Sequence, residues 1–309
     1  MPFSRRRLLR VCFFLLGWLY PAFGQPLRFA AIGDSGSGDS RQWAVARQME
    51  NYYQTHRWQF VLMLGDNIYE TGDPRKFDRN FKKVYRNLMV AGVKFHATLG
   101  NHDRIHPLSR KGMAQVEDDD FGYVGRSDEY VVVAGPTVGG KVLARFICLN
   151  SGAWMEELEK DRKAVEPRLV RLRNWLQQSD QFHWNFVFFH NPIYSFVLAN
   201  PLRYLLRRHG HGSEEDLRQV LEPELKGKVD AVLSGHEHFY QKIRPQNGIH
   251  YFISGGAAKI RKGVDKHHPQ VEFAAEVLHF MDFELSEKQL KYAAISDRGV
   301  VIHSGVISK

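Results

Sequence analysis

Five short stretches of this chain carry metal-binding side chains, and each comes directly after an apolar run. Phe60-Val61-Leu62-Met63-Leu64 has strand length and leads into Gly65-Asp66-Asn67-Ile68-Tyr69. A strand that stops at Gly-Asp delivers a carboxylate at its C-terminal end, where open α/β sheets keep their sites. Three residues on, Tyr69 can swing its phenol to the same point. A carboxylate and a phenol together make a site for a hard, highly charged ion such as Fe(III). The same residues also form turns, and a tyrosine is commonly half-buried filler, so the pentapeptide alone decides nothing. The other four stretches are Gly33-Asp34, Gly100-Asn101-His102-Asp103, His190-Asn191 and Gly235-His236-Glu237-His238. Each offers a carboxylate, an amide carbonyl or an imidazole, and all three bind metals. One strand ending this way is ordinary, but five in one chain are hard to produce by chance.

The elements that must position these residues follow from periodicity. Residues 27–32, 60–64, 94–99, 184–189 and 229–233 read as the strands that bring the five stretches together. Residues 40–56 have helical spacing. Asp73-Pro74 opens a helix that carries Phe77, Phe81, Val84, Tyr85 and Leu88. Residues 104–128 read as a long irregular insert with the acidic run Glu117-Asp118-Asp119-Asp120, a solvated loop whose spacing matches no calcium loop. Residues 130–134 and 141–149 form a hairpin. Residues 154–178 are helical, with a break at Pro167. Residues 195–212 are a basic loop with His209 and His211, and residues 214–225 form a short helix. The C-terminal part is mostly strands, at 249–254, 277–285, 290–295 and 300–304. Residues 25–309 read as one domain.

The chain has 309 residues, 43% hydrophobic and 13% aromatic, which suits a globular protein with a substantial core. Part of the net charge of +9 belongs to Arg5, Arg6, Arg7 and Arg10. The remainder is mildly basic, which suits anionic substrates, and has no dense basic run with interleaved aromatics, so nucleic acid is not expected. A basic stretch at 4–10, an apolar one at 11–20 and Pro21-Ala22-Phe23-Gly24 read as a signal peptide over residues 1–24, with a possible twin-arginine pattern. The expected location is periplasmic or secreted, with membrane attachment only through an uncleaved signal. Removal of that segment takes Cys12 with it and leaves Cys148, a buried thiol rather than a nucleophile.

Taken together, Asp34 in Asp-Ser-Gly, Asp66 and Tyr69 in Gly-Asp-Asn-Ile-Tyr, Gly-Asn-His-Asp, His190 and Gly-His-Glu-His resemble the calcineurin-like metallophosphoesterases. Tyr69 narrows the resemblance to the purple acid phosphatases, including the small tartrate-resistant type. The resemblance implies an α/β fold: a four-layer α/β/β/α sandwich of two mixed sheets with metals at the strand ends. It implies two metal ions. Asp34, Asp66, Tyr69 and His238 would bind Fe(III), and Asp66, Asn101, His190 and His236 a divalent ion of iron, zinc or manganese. It also implies hydrolysis of small phosphomonoesters by a metal-bound hydroxide, with His102 as general acid and Asp103 orienting its ring. A phosphodiesterase, a nucleotide pyrophosphatase and a non-catalytic metal-binding protein are the alternatives. Asn191 either contacts phosphate or caps a turn. His209 and His211 cannot be assigned, and His267 and His268 read as surface residues.

Overall fold

A computed structural model describes residues 26–198 and 212–309. The signal-like segment and the loop histidines His209 and His211 lie outside the described residues. Strand β1 (Leu27–Ile32) pairs in parallel with β2 (Phe60–Met63), which pairs in parallel with β3 (Lys94–Ala97). On its other side β1 meets β11 (His279–Leu285) antiparallel, followed by β12 (Gln289–Ser296) and β13 (Val301–Ser308). These make a six-stranded mixed sheet. A seven-stranded mixed sheet has the order β10-β8-β9-β7-β6-β5-β4. Its strands are β4 (Tyr130–Val138), β5 (Lys141–Cys148), β6 (Phe182–Phe189), β7 (Ala231–Ser234), β8 (Tyr240–Gln246), β9 (Ile249–Ser254) and β10 (Val271–Ala275).

The period-two alternation of a strand decides which side chain joins the sheets and which meets a helix. Phe29 of β1 packs edge-on against Phe146 of β5 and Phe186 of β6, at 5.0 and 5.7 Å between ring centres, so these rings form the layer between the sheets. One residue along, Ile147 and Val187 point the other way. They pack in a second core with Trp154, Leu169, Leu172 and Leu221 from the helices Ser151–Lys160, Glu166–Leu176 and Glu215–Leu225. On the opposite outer face Phe280 of β11 meets Tyr52 of the helix Ser40–His56, at 5.5 Å. Each fully buried aromatic ring contributes roughly 1.5–3 kcal/mol. The architecture is the expected sandwich of two mixed sheets with helices outside. No helix among the described residues is long and apolar enough to cross a membrane.

Several elements differ from expectation. Pro167 does not break a helix; it stands in the first turn of Glu166–Leu176, where its missing N–H has no partner to lose. The interruption falls earlier, where Asp161 ends the preceding helix in extended backbone. The helix expected after Pro74 is a series of short turns, because Lys83 N–H donates to Asp78 O in a wide turn that carries the polar Asn80 inward. The hairpin continues to Val138, with a register shift between Ala134 and Thr137 where Gly135 takes a φ of +84°. β8 and β10 also lie in the strand-rich C-terminal part. The 104–128 insert consists of short helical turns. Its acidic run is paired with bases: Glu117 with Arg110, Asp118 and Asp120 with Lys82, and Asp119 with Arg126.

Candidate metal centre

β1, β2, β3, β6 and β7 all deliver their C-terminal ends to one edge of the sandwich. Asp34, Asp66 and His236 turn there in the left-handed region, at φ of 58°, 53° and 70°, a conformation that Asp and His tolerate better than most residues. The approach of the strand ends is close enough to demand glycine. A Cβ on Gly65, whose φ is +88°, would lie 2.5 Å from His190 Nδ1, and one on Gly100 would lie 2.2 Å from Asp66 Oδ1.

All seven expected ligands converge. The Tyr69 hydroxyl lies 2.9 Å from Asp34 Oδ1, 2.8 Å from Asp66 Oδ2 and 3.2 Å from His238 Nε2. His238 Nε2 is itself 3.2 Å from Asp34 Oδ1. Beside this group stands a second. Asn101 Oδ1 is 3.1 Å from both His190 Nε2 and His236 Nδ1, and those nitrogens are 3.2 Å apart. Asp66 belongs to both, because its Oδ1 lies 3.5 Å from His190 Nε2. Asp34, Asp66 and His190 are buried, with ligand atoms within 4.8 Å of one another.

The polar chemistry of these groups fits a cation better than it fits hydrogen bonding. One phenolic hydrogen on Tyr69 faces two carboxylate oxygens and a ring nitrogen. His190 Nδ1 lies 2.8 Å from Leu64 O and donates its proton there, which aims Nε2 at the Asn101 oxygen and at Asp66 Oδ1. The surrounding backbone leaves the carboxylates aimed inward, since His236 N–H donates to Asp34 Oδ2 and His102 N–H to Asp66 Oδ1.

The protein's own charges pull these groups away from ordinary titration. Burial pushes the Asp34 carboxyl up, but the hydrogen bond from His238 and the charges of His238 and His190 outweigh it and hold the carboxyl low. Burial opposes protonation of His190 and His238, yet the nearby aspartates raise both. Burial first, then the charges of Asp34 and Asp66, hold the Tyr69 phenol protonated well above its usual range. A bound cation would reverse the electrostatic part of that effect.

His102 stands at the edge of this cluster, its ring centre 4.8 Å from that of Tyr69. Its expected partner is corrected. Asp103 does not orient His102; Glu70 O does, 2.5 Å from His102 Nδ1. Asp103 is buried and accepts N–H bonds from Asn67, Ile68 and Gly100 and from the Gln115 side chain. Its carboxyl is pushed up to about 6 by burial and by Asp66, against those bonds. It fastens the Asp66 loop to the Asn101 loop, and this tethering uses both of its oxygens.

Sequence reasoning missed the residues that brace the loops. Asn67 donates to Thr98 O and Gln115 Oε1, and Asn80 holds Gly36 O, which also accepts from Tyr69 N–H. Asn67 was visible inside the motif, but nothing in the insert marked Gln115. Asn191 accepts from the Ser151 hydroxyl and so ties β6 to the helix that Ser151 begins. His267 is exposed, and His268 stacks on Phe196 at 3.8 Å.

Residues 27–240 match the model of the calcineurin-like phosphoesterase family. The chain is similar to tartrate-resistant acid phosphatase type 5 of Rattus norvegicus, 26% identical over 74% of this chain and 72% of that protein. It is similar to purple acid phosphatase 7 of Arabidopsis thaliana, 25% identical over 92% of this chain and 86% of that one. Among solved structures, the fold is shared with GAP50, the anchor in the inner membrane complex of Plasmodium, at a TM-score of 0.77 with 20% identity over 92% of this chain and 89% of that one. It is shared also with purple acid phosphatase PPD1 from yellow lupin, at 0.71 with 18% identity over 94% and 55%. With its strand-end polar side chains gathered at one edge of a double sheet, this chain belongs to the calcineurin-like phosphoesterase family, is similar to purple acid phosphatases, and is a phosphoric ester hydrolase.

Proposed function

We propose that this protein is an exported acid phosphatase that hydrolyses phosphomonoesters with a pair of metal ions, Fe(III) and a divalent ion of iron, zinc or manganese. Asp34, Asp66, Tyr69 and His238 would hold the first ion. Asp66, Asn101, His190 and His236 would hold the second. The observation that carries the reading is the gathering of Asp34, Asp66 and His238 around one phenol oxygen, at 2.8 to 3.2 Å, with a second donor set joined through Asp66. When bound, such a pair supplies positive charge for phosphate oxygens and a water acidified towards neutrality.

The chain's own residues do the rest. Bonding of His102 Nδ1 to Glu70 O fixes the ring and leaves Nε2 to hand a proton to the departing alkoxide. Asp103 keeps the two loops that carry Asp66 and His102 in register.

The test begins with the iron-loaded protein, which should show a visible phenolate-to-iron band and turn over an aryl phosphate. A colourless but active zinc or manganese enzyme would remove the iron assignment and leave hydrolysis standing. Faster diester than monoester cleavage would favour the phosphodiesterase alternative. Failure to turn over any ester would point to a binding protein, a real alternative because fold alone does not fix function. His102→Ala should keep both metals and lose about 100-fold or more on alkyl phosphates. Unchanged alkyl turnover would end the acid assignment. The basic and then apolar order of residues 1–24 supports export, and recovery of an unprocessed cytoplasmic product would count against it.

A further inference from the structure

The loop that follows β9 carries a lysine that nothing above employs. Its backbone is tied at two points to loops that carry ligands: Ala257 N–H donates to Gly33 O at 3.1 Å, and Arg261 N–H donates to His238 O at 2.9 Å. From this fixed base Lys259 reaches over the centre. Its Nζ stands 3.6 Å from the middle of the Tyr69 ring and donates to Glu70 Oε1 at 2.8 Å. The next cations in the chain are committed elsewhere, Arg261 to Glu237 and Lys262 to Glu276. Glu70 meanwhile presents its main-chain carbonyl to His102, whose ring leans on Tyr69. One ammonium therefore grips both members of the Tyr69–Glu70 pair, the short piece of chain that links the phenol to His102.

A cation over the face of a phenol is attracted by the ring, and more strongly once the oxygen carries negative charge. We propose that Lys259 is a positioning residue of this hydrolase: it holds the Tyr69 ring in place and, through Glu70, aims His102 at the leaving group. The inference rests on the reading in which Tyr69 binds iron and His102 protonates the leaving group.

The experiment compares Lys259→Met, Lys259→Arg and His102→Ala with the wild-type protein, all in the full chain loaded with iron and zinc. Lys259→Met should lower kcat on an alkyl phosphate by about 10-fold, the usual size of an outer-shell loss, with little change in KM. Its loss on an aryl phosphate with a good leaving group should be much smaller. The visible band should move to longer wavelength, because removal of the positive charge destabilises the phenolate electrons that are donated to iron. Lys259→Arg, which keeps charge and donor, should restore both. A Lys259→Met protein with the wild-type band and the wild-type ratio of alkyl to aryl turnover would overturn the inference, provided His102→Ala shifts that ratio. Equal loss on both substrates that arginine does not restore would also overturn it, since that is the mark of general loosening. A wild-type protein without a visible band would sink the iron assignment instead, and the ratio would still judge Lys259.

Discussion

Two groups of buried acids in this molecule are treated in opposite ways. Glu129, 2% exposed, sits where β4 begins and is surrounded by donors. Arg168 lies 3.0 Å away, Arg171 is also paired with it, and Trp154 Nε1–H donates at 2.6 Å. Asp34 and Asp66 are buried as completely, yet among the described residues no lysine or arginine reaches either of them. Their neighbours are a phenol, an amide and imidazoles. A buried carboxylate needs compensation, which Glu129 takes from arginines and Asp103 from N–H donors. At the strand ends the compensation comes from the imidazoles of His190 and His238, a role that a bound metal ion would take over.

The strongest way to break that comparison is Asp66→Asn. The substitution removes the carboxylate common to both donor sets, so turnover and bound metal should both disappear, as metal analysis and an aryl phosphate assay would read. The metal-free variant should nevertheless melt no lower than the metal-free parent, because it has lost a repulsive charge. A clear drop in its melting temperature would show that Asp66 acts as a structural acid like Glu129. Glu129→Gln should do the reverse. It takes one carboxylate from Arg171 and one of two from Arg168, which keeps Glu157, and should cost roughly 1–3 kcal/mol in chemical denaturation, with metal content unchanged. Stripping the metals with a chelator sharpens the contrast. Binding to the native state alone adds roughly 2.7 kcal/mol at a hundredfold excess over Kd, so the parent should lose several degrees of melting temperature on stripping, while Asp66→Asn should lose none.

The last effect concerns acid and builds up only as pH falls. His279 is buried behind the centre, and burial lowers its pKa to about 4 in spite of its bond to Val277 O. An unfolded histidine titrates near 6.5, so between pH 6.5 and 4 the unfolded chain binds the extra proton and stability falls with pH. The slope should approach about 1.4 kcal/mol per pH unit from this residue alone, and His279→Gln should flatten it in denaturation curves taken across that window. An unchanged slope would mean that other groups govern the acid limit.

The legible parts of the site were those whose signal is local. Gly65-Asp66 and Gly100-Asn101 announce themselves because a strand end, a sharp turn and a ligand occur within a few consecutive residues. Glu70 O and Lys259 carry no such mark. Gln115 is significant only because the insert folds back to place it between Asn67 and Asp103. Asp103 misled for the same reason: its place beside His102 in the sequence suggested a shared role, yet its two oxygens serve other loops.

By itself the sequence determined which side chains could hold a cation and the strands that carry them. Periodicity and glycine placement are properties of short stretches, and short stretches can be read in order. Only the tertiary structure decided how closely those side chains approach one another, that Asp103 ties two loops together, and that Glu70 rather than Asp103 holds His102. Those facts depend on how far apart the ends of separate strands come to rest. That distance is set by the packing of two whole sheets and by no single residue.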